Sequence, residues 1–105
     1  MAKAIYFSKG ESIDYRPATA VAAGEIVVQG KLVGIARLDI PAGTLGSLAV
    51  TGVFKVTKGT STTFDAGAEV FCDGGVAVAS GDVKLGLAVA DASAGEEYVL
   101  VLLNA

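Results

Sequence analysis

The stretch DIPAGTLGSLAVTGVFKV, residues 39–56, decides the fold prediction. Within it, LAVTGVFKV alternates between two faces, which is the period-two pattern of a half-buried β-strand. One face of this predicted strand carries Leu48, Val50, Phe54 and Val56, with a glycine between the two pairs. The whole stretch contains one Asp and one Lys. It therefore predicts a β-protein that works through packing rather than through reactive side chains.

Similar patterns along the chain predict an all-β fold with little or no helix. VKLGLAVA (83–90) alternates in the same way, and both faces of EYVLVLL (97–103) are apolar, which predicts a strand covered on both sides. Further strands are predicted at 4–7, 12–15, 25–28, 32–38, 69–73 and 76–79. No window has a sustained apolar period of about 3.6 residues, so at most one helical turn is expected, at 17–24.

Glycine turns separate these strands and predict the architecture. Ala-Gly pairs precede apolar strands four times, at spacings too irregular for a solenoid. About eight or nine short strands with regular turns are typical of a single small β-sandwich or barrel. We expect one domain over 1–105 in which the chain shuttles between sheets, with residues 1–20 as an N-terminal arm. The predicted core consists of Val50, Phe54, Val70, Leu85, Leu87, Val89, Leu100 and Leu102.

Composition argues against several classes of partner. The net charge is −3 and the eight basic residues are scattered singly, so no positive stripe is available to follow a nucleic-acid backbone. No apolar run approaches the roughly 20 residues that span a bilayer. We expect a cytoplasmic product that binds neither nucleic acid nor membrane.

Catalytic and cofactor motifs are not found, and none is predicted. GEIVVQGKL (24–32) has the wrong glycine spacing for a phosphate loop and reads as a strand. The chain contains no histidine, so Cys72 has no base and is interpreted as a buried apolar residue beside Val70. Acids next to glycines are interpreted as turn formers. A calcium site built from Asp65, Asp73 and Asp82 is left open, although their spacing matches no known calcium loop.

Three segments carry a resemblance to a known family. GKLVGIA (30–36), IPAGTLGSLAVTGVF (40–54) and the Asn near the end, Asn104, resemble the small capsid cement or decoration proteins of tailed bacteriophages. The resemblance extends over nearly the whole chain. It implies a jelly-roll-like sandwich that coats the outside of the major capsid shell as a homo-oligomer, a dimer or a trimer. It implies no cofactor, metal or catalytic residue.

The predicted contact residues lie in the N-terminal stretch, where aromatic side chains fall outside the regular strand pattern. They are Ile5, Tyr6, Phe7, Tyr15 and Arg16, which would reach the capsid or a sister subunit. The alternative is that they form an ordinary first strand. For the whole protein, the alternatives are a small carbohydrate- or surface-binding module and an enzyme subunit that needs a partner.

Overall fold

The computed structural model describes residues 4–6 and 8–105, and that part of the chain folds into nine strands with no helix. The strands are β1 (Ser12–Tyr15), β2 (Ile26–Gln29), β3 (Leu32–Ala36), β4 (Gly46–Ala49), β5 (Val53–Thr57), β6 (Glu69–Asp73), β7 (Val76–Val78), β8 (Val83–Ala88) and β9 (Tyr98–Leu103). The all-β prediction is confirmed. The helical turn expected at 17–24 is wrong, since Val21 there forms an isolated β-bridge with Ile40.

Two antiparallel sheets contain these strands. Sheet one has the order β1-β4-β3-β2, and sheet two has the order β5-β9-β8-β6-β7. The edges of sheet two approach each other where Lys58 bridges Ala77, so this sheet curls towards a barrel. Each sheet takes its strands from one half of the chain, so the expected shuttling between sheets is wrong. A jelly-roll order is not confirmed.

The stretch that decides the fold is the single crossing between the sheets. It forms two strands, β4 and β5, so the prediction of one strand over 48–56 is wrong. The amide of Val50 still donates to Glu11 beside β1, at 3.1 Å, whereas the carbonyl of Gly52 accepts from Leu103 of β9, at 2.9 Å. Gly52 has φ 113°, a conformation that glycine adopts without a side-chain clash. The glycine is therefore the point at which the chain changes sheets.

The four Ala-Gly pairs form four similar turns. In each turn the amide that follows the glycine donates to the carbonyl two residues before the glycine, at 2.9–3.2 Å. The glycine has a φ between 73° and 93°, which the third position of a type II turn requires. These glycines are Gly24, Gly43, Gly67 and Gly95. The recurring sequence pattern therefore marks a recurring structure.

The turns occur as two equivalent pairs. The amide of Gly24 donates to Ala36 at the end of β3, at 2.6 Å, and that of Gly67 donates to Ala88 at the end of β8, at 2.7 Å. Strands that occupy the same position in the two sheets correspond to each other. β1 corresponds to β5, β4 to β9, β3 to β8 and β2 to β6. β7 is the additional strand of the second half. The two halves of the chain therefore repeat one strand order, which the unequal spacings concealed in the sequence, and we call this structural repeat the internal duplication.

Two apolar clusters form the interior. The larger lies within sheet two and includes Val33 and Ile35 of β3, so it also joins the two halves of the chain. The smaller lies on the other face of sheet one and is built on Val21, Ala36, Ile40 and Leu48. Cys72 is half-buried against the larger cluster, as an apolar strand residue.

The predicted core is right for some residues and wrong for others. Val50, Val70 and Leu85 are buried, and Phe54 and Leu87 are half-buried. Val89, Leu100 and Leu102 are exposed at 43%, 41% and 41%. The reason is that β9 turns its other face inward, with Val99, Val101 and Leu103 in the core. A β-bulge between β6 and β8, at Val70/Phe71, also shifts the phase of β8.

Candidate contact surface

An uncovered array of apolar side chains lies on the outer face of β5, β9 and β8. We call it the apolar array, and it comprises Val53, Leu87, Val89, Leu100 and Leu102. Leu102 pairs with Val53 on one side and with Leu87 on the other. In the next row, the amide of Val89 donates to Leu100 at 3.0 Å. Paired side chains on one face lie about 5 Å apart, so the array is contiguous.

The apolar array arises because β9 is apolar on both faces while only one of them is covered. Its inward residues are buried at 0–3% exposure, whereas Leu100 and Leu102 keep 41%. The prediction that this strand is covered on both sides is therefore wrong within the single chain. Contiguous exposed apolar patches on small domains commonly mark interaction sites.

Polar side chains border the apolar array. The ammonium of Lys55 lies 4.9 Å from the centre of the Tyr98 ring at one end. At the other side, Lys84 and Glu69 form an exposed ion pair at 3.2 Å. Such exposed pairs contribute little stability. An apolar centre with a polar rim is the usual anatomy of a protein–protein interface.

The internal duplication provides a comparison within one molecule. The pair Val53 and Leu102 corresponds to Ser12 and Ala49 in sheet one, and Leu100 corresponds to Ser47. Sheet one thus has serines where sheet two has exposed Val53 and Leu100. At Val53 and Leu100, therefore, the repeated backbone does not require an apolar residue. The counterparts of Leu102 and Leu87, which are Ala49 and Ile35, are buried in sheet one.

The predicted contact residues are not brought together. Ile5 and Tyr6 precede β1 and are exposed at 87% and 78%, and Phe7 lies outside the described residues. Tyr15 is half-buried against the smaller cluster, and the guanidinium of Arg16 donates to the carbonyl of Gly43 at 2.7 Å. Tyr15 and Arg16 therefore belong to the body of sheet one.

The predicted arm is accordingly shorter than residues 1–20. Its residues 12–15 form β1, a regular edge strand paired with β4. Of the strand expected at 4–7, residues 4–6 are not in a strand. The part of the arm that projects from the fold and that the structure describes is 4–6 and 8–10, which is exposed throughout.

Lys58 is a structural residue that the sequence reasoning missed. It is 3% exposed, and its ammonium donates to four carbonyls, those of Gly59, Thr62, Ser93 and Glu96, at 2.7–3.3 Å. These bonds tie the polar loop after β5 to the turn before β9. A lysine within a glycine- and threonine-rich loop gave no signal of burial.

Several acids have structural roles in turns. Asp39 and Asp91 each accept the amide of the alanine in an Ala-Gly turn, at 2.8 Å. Glu25 and Glu96 each accept a hydrogen bond from the backbone amide three residues earlier, at 3.3 and 2.7 Å.

Across residues 4–6 and 8–105, no group of three His, Cys, Asp or Glu side chains is placed to hold a metal ion. The calcium site left open on Asp65, Asp73 and Asp82 therefore has no support. Within the same residues, no helix has the length and apolarity needed to cross a membrane.

Comparison with known proteins identifies the family. A family model described as phage cement protein matches residues 7–103 of the 105-residue chain. No curated protein and no solved structure matches the chain. The match covers both halves of the duplication and the whole apolar array, and it ends one residue before Asn104. This chain belongs to the phage cement protein family.

Proposed function

We propose that this protein binds the outside of an assembled major capsid shell and stabilises it by burying the apolar array at subunit junctions. The family gives the chain a structural role at a phage capsid. The observation that carries the finer proposal is the array itself, a contiguous set of apolar side chains in which four are exposed within the described chain and Leu87 is half-buried.

The physical basis is preferential binding to one state. A protein that binds only the assembled shell adds its binding free energy to that state. Burying each half-exposed apolar side chain of the array contributes about 1 kcal/mol. Association also costs several kcal/mol of lost motional freedom, so one array gives modest affinity. Many copies on a lattice compensate, because linked sites bind with high effective concentration.

The same proposal assigns partners and location. The partner is the major capsid protein, the protein acts as a homo-oligomer on the virion exterior, and synthesis takes place in the host cytoplasm. Such a coat resists the internal pressure of packaged DNA. No catalytic residue, cofactor or metal is part of the proposal. The carbohydrate-binding alternative is not favoured, because Tyr98 lies at the rim of the array with the ammonium of Lys55 over its ring, so this ring is not a free platform for a sugar.

Shell disruption tests the proposal. Shells assembled without the protein are heated in a calorimeter with and without a saturating amount of it. We expect a higher disruption temperature with the wild type and no change with Leu100→Glu. An unchanged disruption temperature with bound wild type would leave binding without stabilisation and contradict the proposal.

A further inference from the structure

A cleft of about 670 Å³ lies at one end of sheet one. Its apolar wall is formed by the loop after β3, where Leu38 is 78% exposed and Leu45 is 55% exposed. Asp14 of β1 and Asp39 of the loop add two carboxylates, and Arg37 adds one base. The cleft is therefore apolar, with a net negative rim.

The projecting arm has the complementary chemistry. Ile5 and Tyr6 are more than three-quarters exposed, and Lys9 follows them as a cation. An apolar pair of this exposure next to a lysine matches an apolar cleft with acidic residues at its edge. Exposed apolar side chains in a segment outside any strand gain more from docking than from remaining in water.

The described residues of the arm do not line the cleft of their own chain. The described residues that line the cleft are Asp14 and members of 37–47, with none from the arm. The arm leaves sheet one at Ser12, which pairs with Ala49, whereas the cleft lies towards the Gly46 end of the same strand pair. The donor and the receptor therefore lie at opposite ends of β1.

We propose that the arm of one copy, with Ile5 and Tyr6 as anchors, docks into this cleft on a second copy of the chain. Ile5 and Tyr6 contact Leu38 and Leu45, and Lys9 lies near the two carboxylates. Each copy donates one arm and receives one, so reciprocal exchange closes a dimer and cyclic exchange closes a larger ring. This inference deepens the proposed function by naming its self-association contact. The family match begins at residue 7, so the anchors lie outside it.

Cross-linking between differently tagged chains tests the contact. In a Cys72→Ser background, Tyr6→Cys chains are mixed with Leu45→Cys chains and mildly oxidised. We expect a disulfide-linked hetero-pair as the main product. The matched control replaces Leu45→Cys with Leu32→Cys, which is exposed at 40% and lies outside both the cleft and the apolar array, and we expect at least fivefold less hetero-pair. Equal yields in the two mixtures would overturn the proposal.

A chain carrying both Tyr6→Cys and Leu45→Cys distinguishes exchange from docking within one chain. Exchange predicts covalent dimers or larger rings, and a disulfide-linked monomer at high dilution would overturn the proposal.

Sedimentation provides a second readout without cysteines. Ile5→Ser with Tyr6→Ser should weaken self-association at least tenfold with unchanged circular dichroism, and a wild type that stays monomeric at all concentrations contradicts the proposal. Shell binding by the wild type is measured separately, so failure of self-association and failure of the proposed function are distinguishable.

Discussion

Leu102 of β9 lies directly across from Val53 of β5, and both side chains are exposed, at 41% and 54%. The neighbouring residue on the same strand, Val101, is fully buried. One strand thus places apolar side chains into the core and onto the surface in alternation. The outer row has no structural role that the described chain accounts for, which makes it the most specific candidate for contact with another protein.

Substitution within the apolar array should separate binding from folding. Val53→Glu places a charge at the most exposed position of the array, where an interface would have to desolvate it. We expect shell binding to weaken at least tenfold while the unfolding temperature changes little, because exposed substitutions cost about 0.5 kcal/mol or less. Sedimentation with shells and thermal unfolding measure the two quantities.

The duplication supplies the control for that experiment. Ser12 occupies the position in β1 that Val53 occupies in β5. Ser12→Glu should leave shell binding unchanged. If the two variants weaken binding equally, the effect comes from net charge and the array is not the contact.

Lys58→Met should destabilise the fold strongly. The substitution removes a buried ammonium and leaves four carbonyls without their donor. Hydrogen bonds to charged groups contribute about 1.5–3 kcal/mol, and unsatisfied buried groups cost a similar amount, so we expect a loss of about 3 kcal/mol in unfolding free energy. Denaturant unfolding measures it. Lys31→Met, at an exposed lysine between β2 and β3, should cost less than about 0.5 kcal/mol, and equal losses would contradict the role of Lys58.

Asn104 should be required at the end of β9 for two reasons. Its amide donates to the carbonyls of Val33 and Val50, at 2.8 and 2.7 Å, so it ties β9 to β3 and to the crossing between sheets. It also has φ 57°, which most residues adopt only with strain. We expect Asn104→Ala to cost about 2 kcal/mol, and Asn104→Gly about 1 kcal/mol less than that, because glycine relieves the backbone strain alone. Equal unfolding free energies for the two variants would exclude the strain contribution.

Two glycines should respond differently to a compensating substitution. A Cβ at Gly46 would lie 2.6–2.7 Å from side-chain atoms of Ile40, whereas a Cβ at Gly86 would meet the backbone carbonyl of Leu102. Gly46→Ala should cost about 1–3 kcal/mol through overpacking, and Gly86→Ala should cost more, because the backbone carbonyl of Leu102 cannot move aside as a side chain can. In an Ile40→Ala background, Gly46→Ala should cost almost nothing. A double-mutant cycle measures this coupling, and additive losses would contradict it.

The strands were predictable from local pattern, and the sheets were not. Residues 12–15 and 69–73 were predicted with the observed bounds, because alternation and flanking turns are local signals. The break at Gly52 was missed because apolar residues continue on both sides of it. Only the long-range bonds to Glu11 and Leu103 show that the chain changes sheets there.

The candidate surface was missed for a related reason. Leu100 and Leu102 are apolar, and apolar residues of a strand are normally assigned to the core. Which face of β9 is covered depends on how sheet two curls, which no local pattern specifies. A strand apolar on both faces in so short a chain was the available signal. The arm was predicted over 1–20, whereas residues 12–15 form β1, and whether Ile5 and Tyr6 make a contact stays a prediction.

Co-sedimentation tests the central claim most directly. Purified protein is mixed with capsids assembled without it, in both immature and expanded form, and bound protein is quantified against added protein. The account predicts saturable binding at a stoichiometry fixed by the shell lattice, with loss of binding for Val53→Glu and retention for Ser12→Glu. Absence of binding of the wild-type protein to either form of shell would contradict it.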